Sequence, residues 1–213
     1  MNELSYNYVL FDLDGTLTDP GVGIINSVVY ALRKFGIHGD PQFLRRFIGP
    51  PLIDSFMKYY GFGEERAKEA VEFYREYYRP RGIFENRLYS GIPELLQTLT
   101  EGGKKLALAT SKPTVFARQI LIKFQIDRYF AEEMIIGSYL DGRRTAKAEV
   151  IASVLALIPP EKEKVVMVGD RKFDIEGAKA NGIASIGVTY GYGEVAEIEE
   201  AGPTQIAHSV PEL

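Results

Sequence analysis

The sequence predicts an α/β fold, in which a parallel sheet core with helices on both faces is interrupted once by an all-helical domain. Three observations carry this prediction. A short apolar segment, Tyr8 to Phe11, is typical of a buried strand. A long stretch with helical spacing follows directly, from about residue 18 to 85. After it, short apolar segments alternate with amphipathic ones, which indicates parallel strands joined by right-handed helical crossovers.

The first strand ends at two aspartates separated by one residue. Side chains at positions i and i+2 of an extended chain project to the same side, so Asp12 and Asp14 can reach one small volume. Gly15 permits a tight turn, and Thr16 adds a hydroxyl at the same place. Two adjacent carboxylates repel unless a cation or a proton lies between them, and Mg²⁺ suits an all-oxygen site. A surface turn is the alternative, and the apolar strand directly in front of the aspartates argues against it.

The helical stretch is predicted to form a separate insert. Apolar residues recur at helical spacing over 21–35, 41–47, 52–60 and 64–78, with breaks at glycines and prolines. We therefore divide the chain into a core, residues 1–17 and 86–213, and an insert, residues 18–85. In the core, strands are predicted at 105–109, 134–136, 165–168 and 183–188, helices at 92–99, 114–124, 145–157 and 175–181, and a weak edge strand within 201–213.

Composition narrows the class of protein and the chemistry of any metal site. The hydrophobic fraction of 46% and charged fraction of 25% are ordinary for a globular protein. A net charge of −4 argues against a nucleic-acid polymer as partner. The sequence has neither a membrane-spanning run nor a signal peptide, so we expect a cytoplasmic protein without a membrane partner. Without cysteines, and with two histidines, a metal would be held by oxygen. Monomer is the default assembly, and a dimer stays open.

Polar clusters stand where the predicted strands end. Besides Asp12 and Asp14, they are the run from Thr110 to Lys112 and the pair Gly169-Asp170 with Asp174. In open parallel sheets, ligands bind beyond the carboxyl ends of the strands, so these clusters should converge on one site. Asp174 follows Asp170 by about one helical turn and can face the same volume.

These motifs resemble those of the haloacid dehalogenase superfamily. The order of Asp12 to Thr16, then Thr110-Ser111, then Lys147, then Gly169-Asp170 with Asp174 is similar to the family's four motifs and spans nearly the whole chain. The resemblance implies a Rossmann-like core, and the insert resembles the family's helical type-1 cap. Within the superfamily the chain is most similar to the phosphoglycolate-phosphatase-like and 5′-nucleotidase-like branch. Residues 47–52 and 137–143 resemble the nucleotidase-like members.

The resemblance implies an Mg²⁺-dependent phosphatase that hydrolyses small phosphate monoesters through an aspartyl-phosphate. Residue chemistry agrees with this implication. Asp12 is the expected nucleophile, and Asp14 the expected acid that protonates the leaving alkoxide and then activates water. Asp12, Asp170 and, through its backbone carbonyl in the family, Asp14 are the expected metal ligands, while Asp174 supports a metal-bound water or Lys147.

Several residues are expected to neutralise or bind the phosphate. Lys147 would balance the charge of the nucleophile and of the transferring group. Thr110 would donate its hydroxyl to a phosphoryl oxygen. Backbone N–H groups of Ser111 and Lys112, at the start of a helix, suit an anion. Gly15 and Thr16 complete this expected phosphate-binding set.

Each of these residues also has a purely structural interpretation. Thr110 and Ser111 could cap a helix, and Asp170 could be the N-cap of the helix that follows it. A lysine in the first turn of a helix, such as Lys147, is most often solvated. Only the order of the motifs favours the functional interpretation.

Residues of the cap are expected to choose the substrate. Arg45 and Arg46 precede a Gly-Pro-Pro break and are candidate clamps for a phosphate or carboxylate. Both roles, clamp and solvated side chain, stay open for either arginine. Tyr74, Tyr77 and Tyr78 have helical spacing and are expected to pack the core of the cap rather than to meet a ligand.

Three other functions use similar residues. A phosphomutase would use the same Asp12 and Asp14 but return the phosphoryl group to a sugar. A haloacid dehalogenase needs neither Mg²⁺ nor a second acid, so Asp14 and Asp170 argue against it. A receiver domain, which is not an enzyme, also gathers acids and a lysine around a phosphorylated aspartate. Receiver domains lack a helical insert and place that aspartate in mid-chain, which disfavours this reading.

Overall fold

The computed structural model describes residues 6–213 and confirms the α/β fold. The chain forms two compact units. The larger one contains Leu88–Leu213 together with the N-terminal residues up to Thr18, and the smaller one is Asp19–Arg87. The division of the chain into a core, 1–17 and 86–213, and a cap, 18–85, stays a prediction. It lies one residue from the first of these boundaries and two residues from the second.

The larger unit is built on a six-stranded sheet in the order β5-β4-β1-β6-β7-β8. All its neighbouring strands pair in parallel. The strands are β1 (Tyr8–Phe11), β4 (Lys105–Pro113), β5 (Phe130–Ser138), β6 (Val165–Gly169), β7 (Ala184–Val188) and β8 (Gln205–Ala207). β1 lies between β4 and β6, so the carboxyl ends of these three strands meet at one edge.

Parallel strands between helical layers are buried on both faces, which explains the continuous apolar run of β1. All four of its residues are buried. Tyr8 and Leu10 lie in one cluster with Met167 of β6 and with Val150 and Val154 of the helix that follows β5. Hydrophobic burial therefore holds the strands whose ends carry the aspartates.

The helices of this unit are α5 (Ile92–Glu101), α6 (Thr114–Lys123), α7 (Lys147–Leu155), α8 (Lys172–Asn181) and α9 (Val195–Ala201). Helix α7 begins two residues later than predicted, because Arg144 has a left-handed φ of 55° and Ala146 is extended. β5 is longer than predicted, since its exposed residues 131–133 lie on an edge strand and lack the apolar signal. α9 was not predicted, and the edge strand near the C-terminus is confirmed as β8.

The smaller unit contains four α-helices, α1 (Gly21–Lys34), α2 (Pro41–Leu44), α3 (Leu52–Tyr60) and α4 (Glu64–Tyr78). α4 packs against both α1 and α3. Tyr74 and Tyr78 are buried and stacked, as expected of core residues. Tyr77 is only half-buried, and its hydroxyl donates to Glu85 across 3.0 Å.

The chain passes between the two units twice, and the two crossings pair as short strands. These are β2 (Thr18–Asp19) and β3 (Arg87–Leu88). Within the smaller unit, Arg87 Nη2 lies 2.7 Å from Asp19 Oδ2. Among residues 6–213, no helix is both long and apolar enough to cross a lipid bilayer.

Candidate active site

Asp12 follows the last residue of β1 at the carboxyl edge of the sheet. Its N–H continues the ladder by donating to Val168 O of β6 across 2.9 Å, which fixes the backbone beside β6. Its side chain is nearly buried. The turn that follows depends on Gly15, whose φ is 92°. A Cβ at Gly15 would lie 2.1 Å from Asp170 Oδ2, so only glycine lets this turn approach that carboxylate.

Three buried carboxylates come together beyond β1 and β6. One ligand atom from each of Asp12, Asp170 and Asp174 lies within 4.8 Å of the others. Asp170 follows β6, and Asp174 lies in the first turn of α8. Burial, together with the neighbouring carboxylates, raises the pKa of Asp170 well above its ordinary value. Burial likewise raises the pKa of Asp174 to about 6.

This cluster fits a hard divalent cation. Its donors are carboxylate oxygens, which Mg²⁺ and Ca²⁺ prefer, and no thiolate or imidazole is among them. The Lys147 ammonium group contacts Asp12 and Asp174, while Arg171 acts on Asp170 and Asp174 but is itself paired with Glu197. A bound cation would relieve the remaining repulsion among the three carboxylates.

The carboxylate of Asp174, expected only to support a metal-bound water or Lys147, lies in the cluster with Asp12 and Asp170. Asp14, which was expected to offer the metal only its backbone carbonyl, has its side chain paired with Lys112.

Lys147 lies in the first turn of α7, as predicted, and it is buried rather than solvated. Its Nζ lies 2.8 Å from Asp12 Oδ1 and 2.8 Å from Asp174 Oδ1, and donates to Ala109 O across 2.9 Å. Burial opposes the charge on Lys147, but the two carboxylates outweigh burial and raise its pKa. Lys147 therefore carries its positive charge at neutral pH.

Hydrogen bonds from two sides hold Asp170. The Thr16 hydroxyl donates to Oδ1 across 3.3 Å, and the backbone N–H of Tyr192 donates to Oδ2 across 2.8 Å. The interpretation of Asp170 as a helix N-cap is wrong, because Arg171 occupies that position and its N–H donates to Asp174. Thr16 was expected at the phosphate, but it is fully buried and its hydroxyl is used on Asp170.

The loop after β7 is a part of the site that sequence reasoning missed. Besides the N–H of Tyr192, this loop contributes the hydroxyl of Tyr190, which donates to Thr16 O across 3.0 Å. The Tyr190 ring also packs edge-on against Tyr89. The sequence feature that could have indicated this loop is Gly-Tyr-Gly at 191–193, which follows a predicted strand at the edge where the polar clusters converge. This sequence contains no acid, lysine or hydroxyl-bearing Ser/Thr, and the contribution of Tyr192 is a backbone N–H that its side chain does not reveal.

The end of β4 differs from the expectation. Ser111 and Lys112 belong to β4 itself, and α6 begins only at Thr114 after Pro113. Pro113 is the N-cap residue of α6, and the chain before it is still extended. Neither Ser111 nor Lys112 is therefore in the first turn of a helix. The N–H of Lys112 donates to Thr110 Oγ1 across 3.2 Å. Thr110 is buried and caps no helix, so the capping interpretation of Thr110 and Ser111 is wrong for α6.

Asp14 lies at the end of β1 but is paired with β4. Its Oδ2 is 2.7 Å from Lys112 Nζ, a contact that the sequence did not predict. Its Oδ1 is buried without a hydrogen-bond partner. Burial raises the pKa of Asp14 even though Lys112 opposes that shift. The arrangement therefore presents a carboxyl group with one oxygen held and the other available.

Arg45 and Arg46 lie in the smaller unit and are exposed. The Arg46 guanidinium packs 4.9 Å from the centre of the Phe43 ring. These contacts within the smaller unit leave the expected role of either arginine as a substrate clamp a prediction.

Sequence comparison places the chain in a family. Residues 9–188 match the family model described as haloacid dehalogenase-like hydrolase. The chain belongs to this family. This hydrolase is 51% identical over 202 residues to a 5′-nucleotidase of Pseudomonas aeruginosa, covering 94% of this chain and 90% of the relative. It is 34% identical over 218 residues to a phosphoglycolate phosphatase of Haemophilus influenzae, covering 98% and 96%.

Further similarities extend over the same length of chain. The hydrolase is 42% identical over 204 residues to the tyrosine-protein kinase PtkA of Mycobacterium tuberculosis, covering 94% of this chain and 68% of the kinase. A crystal structure of a predicted phosphatase from Clostridium acetobutylicum has a TM-score of 0.93 at 48% identity, covering 98% and 96%. This haloacid dehalogenase-like hydrolase is a phosphatase.

Proposed function

We propose that this protein is an Mg²⁺-dependent phosphomonoesterase in which Asp12 is the nucleophile. One observation carries the proposal. Asp12 lies beside Asp170 and Asp174, with its Oδ1 2.8 Å from the buried Lys147 ammonium. A carboxylate that attacks a phosphate dianion needs positive charge around both reactants. In this site the ammonium group and the acidic cluster, which fits a cation, stand directly at the proposed nucleophile.

In the first proposed step, the carboxylate of Asp12 attacks phosphorus and the bond to the leaving oxygen breaks. The phosphoryl group passes to Asp12, and Asp14 gives its proton to the leaving oxygen. Burial raises the pKa of Asp14, which favours the protonated form that a general acid needs. In the second step, Asp14 takes a proton from water, which attacks the aspartyl-phosphate and releases inorganic phosphate.

Thr110 and Lys147 would stabilise the charge that moves in these steps. Because Thr110 Oγ1 accepts the Lys112 N–H, its own proton is free to point to a phosphoryl oxygen. Lys147 offsets the charge on Asp12 and on the transferring group. Asp12, Asp170 and Asp174 would hold Mg²⁺, with the backbone carbonyl of Asp14 as a further ligand. When bound, Mg²⁺ supplies charge that offsets the repulsion between Asp12 and the phosphate oxygens.

The proposed substrates are 5′-nucleotides or a small acid phosphate such as phosphoglycolate. The similarity to a 5′-nucleotidase and to a phosphoglycolate phosphatase supports these two classes. The test measures phosphate release from both classes, from hexose phosphates and from an aryl phosphate, with Mg²⁺ and with a chelator. We expect release that requires the metal, and the substrate with the highest kcat/KM names the class.

Asp12→Asn tests the nucleophile and keeps the size of the side chain. We expect it to lower kcat by at least about a thousand-fold, because an amide does not form the acyl-phosphate. Asp141→Asn changes an exposed aspartate of the same unit and serves as the control. Full activity of Asp12→Asn would contradict the proposal. Conversion of glucose 1-phosphate to its 6-isomer, without phosphate release, would support the mutase instead.

A further inference from the structure

Lys112 and Asp14 form a nearly buried ion pair next to the acidic cluster. Lys112 Nζ lies 2.7 Å from Asp14 Oδ2, and the two side chains are 7% and 13% exposed. An ammonium group that leaves water loses hydration energy, which a single well-placed partner recovers only when the geometry is good. Lysines that serve only solubility keep their ammonium group in water. The position of Lys112 is therefore tied to Asp14.

The backbone of Lys112 is fixed on two sides. Its N–H donates to Thr110 Oγ1 across 3.2 Å. On the other side, Gly137 of β5 is so close that a Cβ there would lie 2.2 Å from Lys112 O. A side chain that starts from a fixed backbone and ends in a buried ion pair has few alternative rotamers. Lys112 can thus hold its partner in one orientation.

Asp14 uses its two oxygens differently. Oδ2 is bound to Lys112, while Oδ1 is buried and has no hydrogen-bond partner. A carboxyl group that transfers a proton must present one oxygen to the leaving group in a fixed direction. We propose that Lys112 is a positioning residue that grips Oδ2 of Asp14 and thereby directs Oδ1 toward the leaving oxygen. This inference rests on the proposed function, because it assigns Lys112 to the proton-transfer part of that mechanism.

The proton balance of the step is complete. The proton on Asp14 Oδ1 goes to the leaving oxygen as the bond from phosphorus to that oxygen breaks and the bond to Asp12 forms. Water later returns a proton to Asp14. Lys112 neither gains nor loses a proton. Its effect should therefore depend on how much the leaving group needs protonation, and this dependence separates positioning of Asp14 from direct binding of the phosphoryl group.

The experiment compares leaving groups in Lys112→Met. We measure kcat/KM for 2,4-dinitrophenyl phosphate, whose leaving group departs without a proton, and for phosphoglycolate, whose alkoxide needs one. This parameter reports phosphoryl transfer to Asp12 and is not affected by the later hydrolysis. We expect a loss of about 100-fold for the alkyl phosphate, within the usual range for general acid catalysis, and under about 5-fold for the aryl phosphate. Asp14→Asn should show the same selectivity.

Three further variants make the comparison decisive. Lys112→Arg keeps the charge and should recover part of the alkyl-phosphate activity. Lys112→Gln serves as a second removal of the charge where the methionine variant fails to fold. Lys105→Met changes an exposed lysine of the same strand and should leave both substrates unaffected.

The outcomes are distinguishable. A larger loss for the alkyl phosphate, shared with Asp14→Asn, supports the positioning role. Equal losses for both substrates would mean that Lys112 binds the phosphoryl group, and no loss would mean that the pair is only structural; either result overturns the inference but leaves the phosphatase intact. Wild-type protein that released no phosphate from either substrate would overturn the proposed function, and this inference with it.

Discussion

Asp174 has contacts of two kinds in this site. Its Oδ1 lies 2.8 Å from Lys147 Nζ, and its Oδ2 accepts the Arg171 N–H that begins α8. One carboxylate therefore balances the lysine beside the nucleophile and also satisfies a helix terminus. Replacement by asparagine retains an oxygen for the helix but removes the charge that faces the acidic cluster.

Asp174→Asn should weaken the use of Mg²⁺ more than it weakens the fold. We expect the Mg²⁺ concentration for half-maximal phosphate release to rise about 10- to 100-fold, the range seen when groups that support a metal are changed. A titration of activity with Mg²⁺ measures this shift. Glu176→Gln, on an exposed face of the same helix, is the control. An unchanged half-maximal concentration would exclude Asp174 from the metal site.

At the level of elements, the turn after β1 passes too close to Asp170 for any side chain larger than that of glycine. Gly15→Ala combines a left-handed backbone at φ 92° with a Cβ 2.1 Å from Asp170 Oδ2. We expect a stability loss of about 1–3 kcal/mol from backbone strain, and a fall in kcat/KM because Asp170 must move. Urea unfolding and the phosphatase assay measure the two effects.

Gly103→Ala is the matched control for that prediction. Gly103 also has a positive φ, of 77°, but no atom lies within 4 Å of where its Cβ would be. Gly103→Ala should lose only the stability that alanine costs at a positive φ, and its phosphatase activity should be normal. If both variants had equal activity, the close approach of Gly15 to Asp170 would have no functional role.

The strand ends and their convergence could be predicted from sequence, but the individual hydrogen bonds and ion pairs between them could not. A buried strand followed by Asp12 and Asp14 is a local pattern, and so is the strand before Asp170. The contact of Lys112 with Asp14 depends on β4 lying next to β1, and strand order is not encoded in periodicity. The Tyr192 N–H on Asp170 was equally hidden, because any residue except proline offers that donor.

At the scale of the whole molecule, the free energy of unfolding should depend on pH because the site buries several carboxylates. The pKa of Asp174 rises from 3.8 in its ordinary state to about 6 in the fold. Between these values the unfolded chain loses a proton that the folded chain keeps, so stability without metal falls as pH rises through this window. For Asp174 alone the loss is about 3 kcal/mol, at about 1.4 kcal/mol for each pH unit. Asp170 acts in the same direction.

Mg²⁺ should therefore stabilise the protein more at pH 7.5 than at pH 5, because protons no longer compete for the carboxylates. Urea unfolding at about these two pH values, with Mg²⁺ and with a chelator, measures how much Mg²⁺ raises the free energy of unfolding. In Asp174→Asn, the gain in free energy of unfolding that Mg²⁺ produces should depend less on pH than in the wild type. If Mg²⁺ stabilised the protein equally at both pH values, this result would contradict a metal site made from these carboxylates.

The central place of β1 also has a consequence for biosynthesis. Tyr8 pairs with Lys105 on one side and with Val165 on the other, so β1 leaves the ribosome long before the two strands that it pairs with. The helices of Asp19–Arg87 have their mutual contacts available long before. A nascent chain thus carries an apolar, unpaired and aggregation-prone strand through most of translation. The catalytic edge, which needs β1, β4 and β6 together, is assembled only after β6 has emerged.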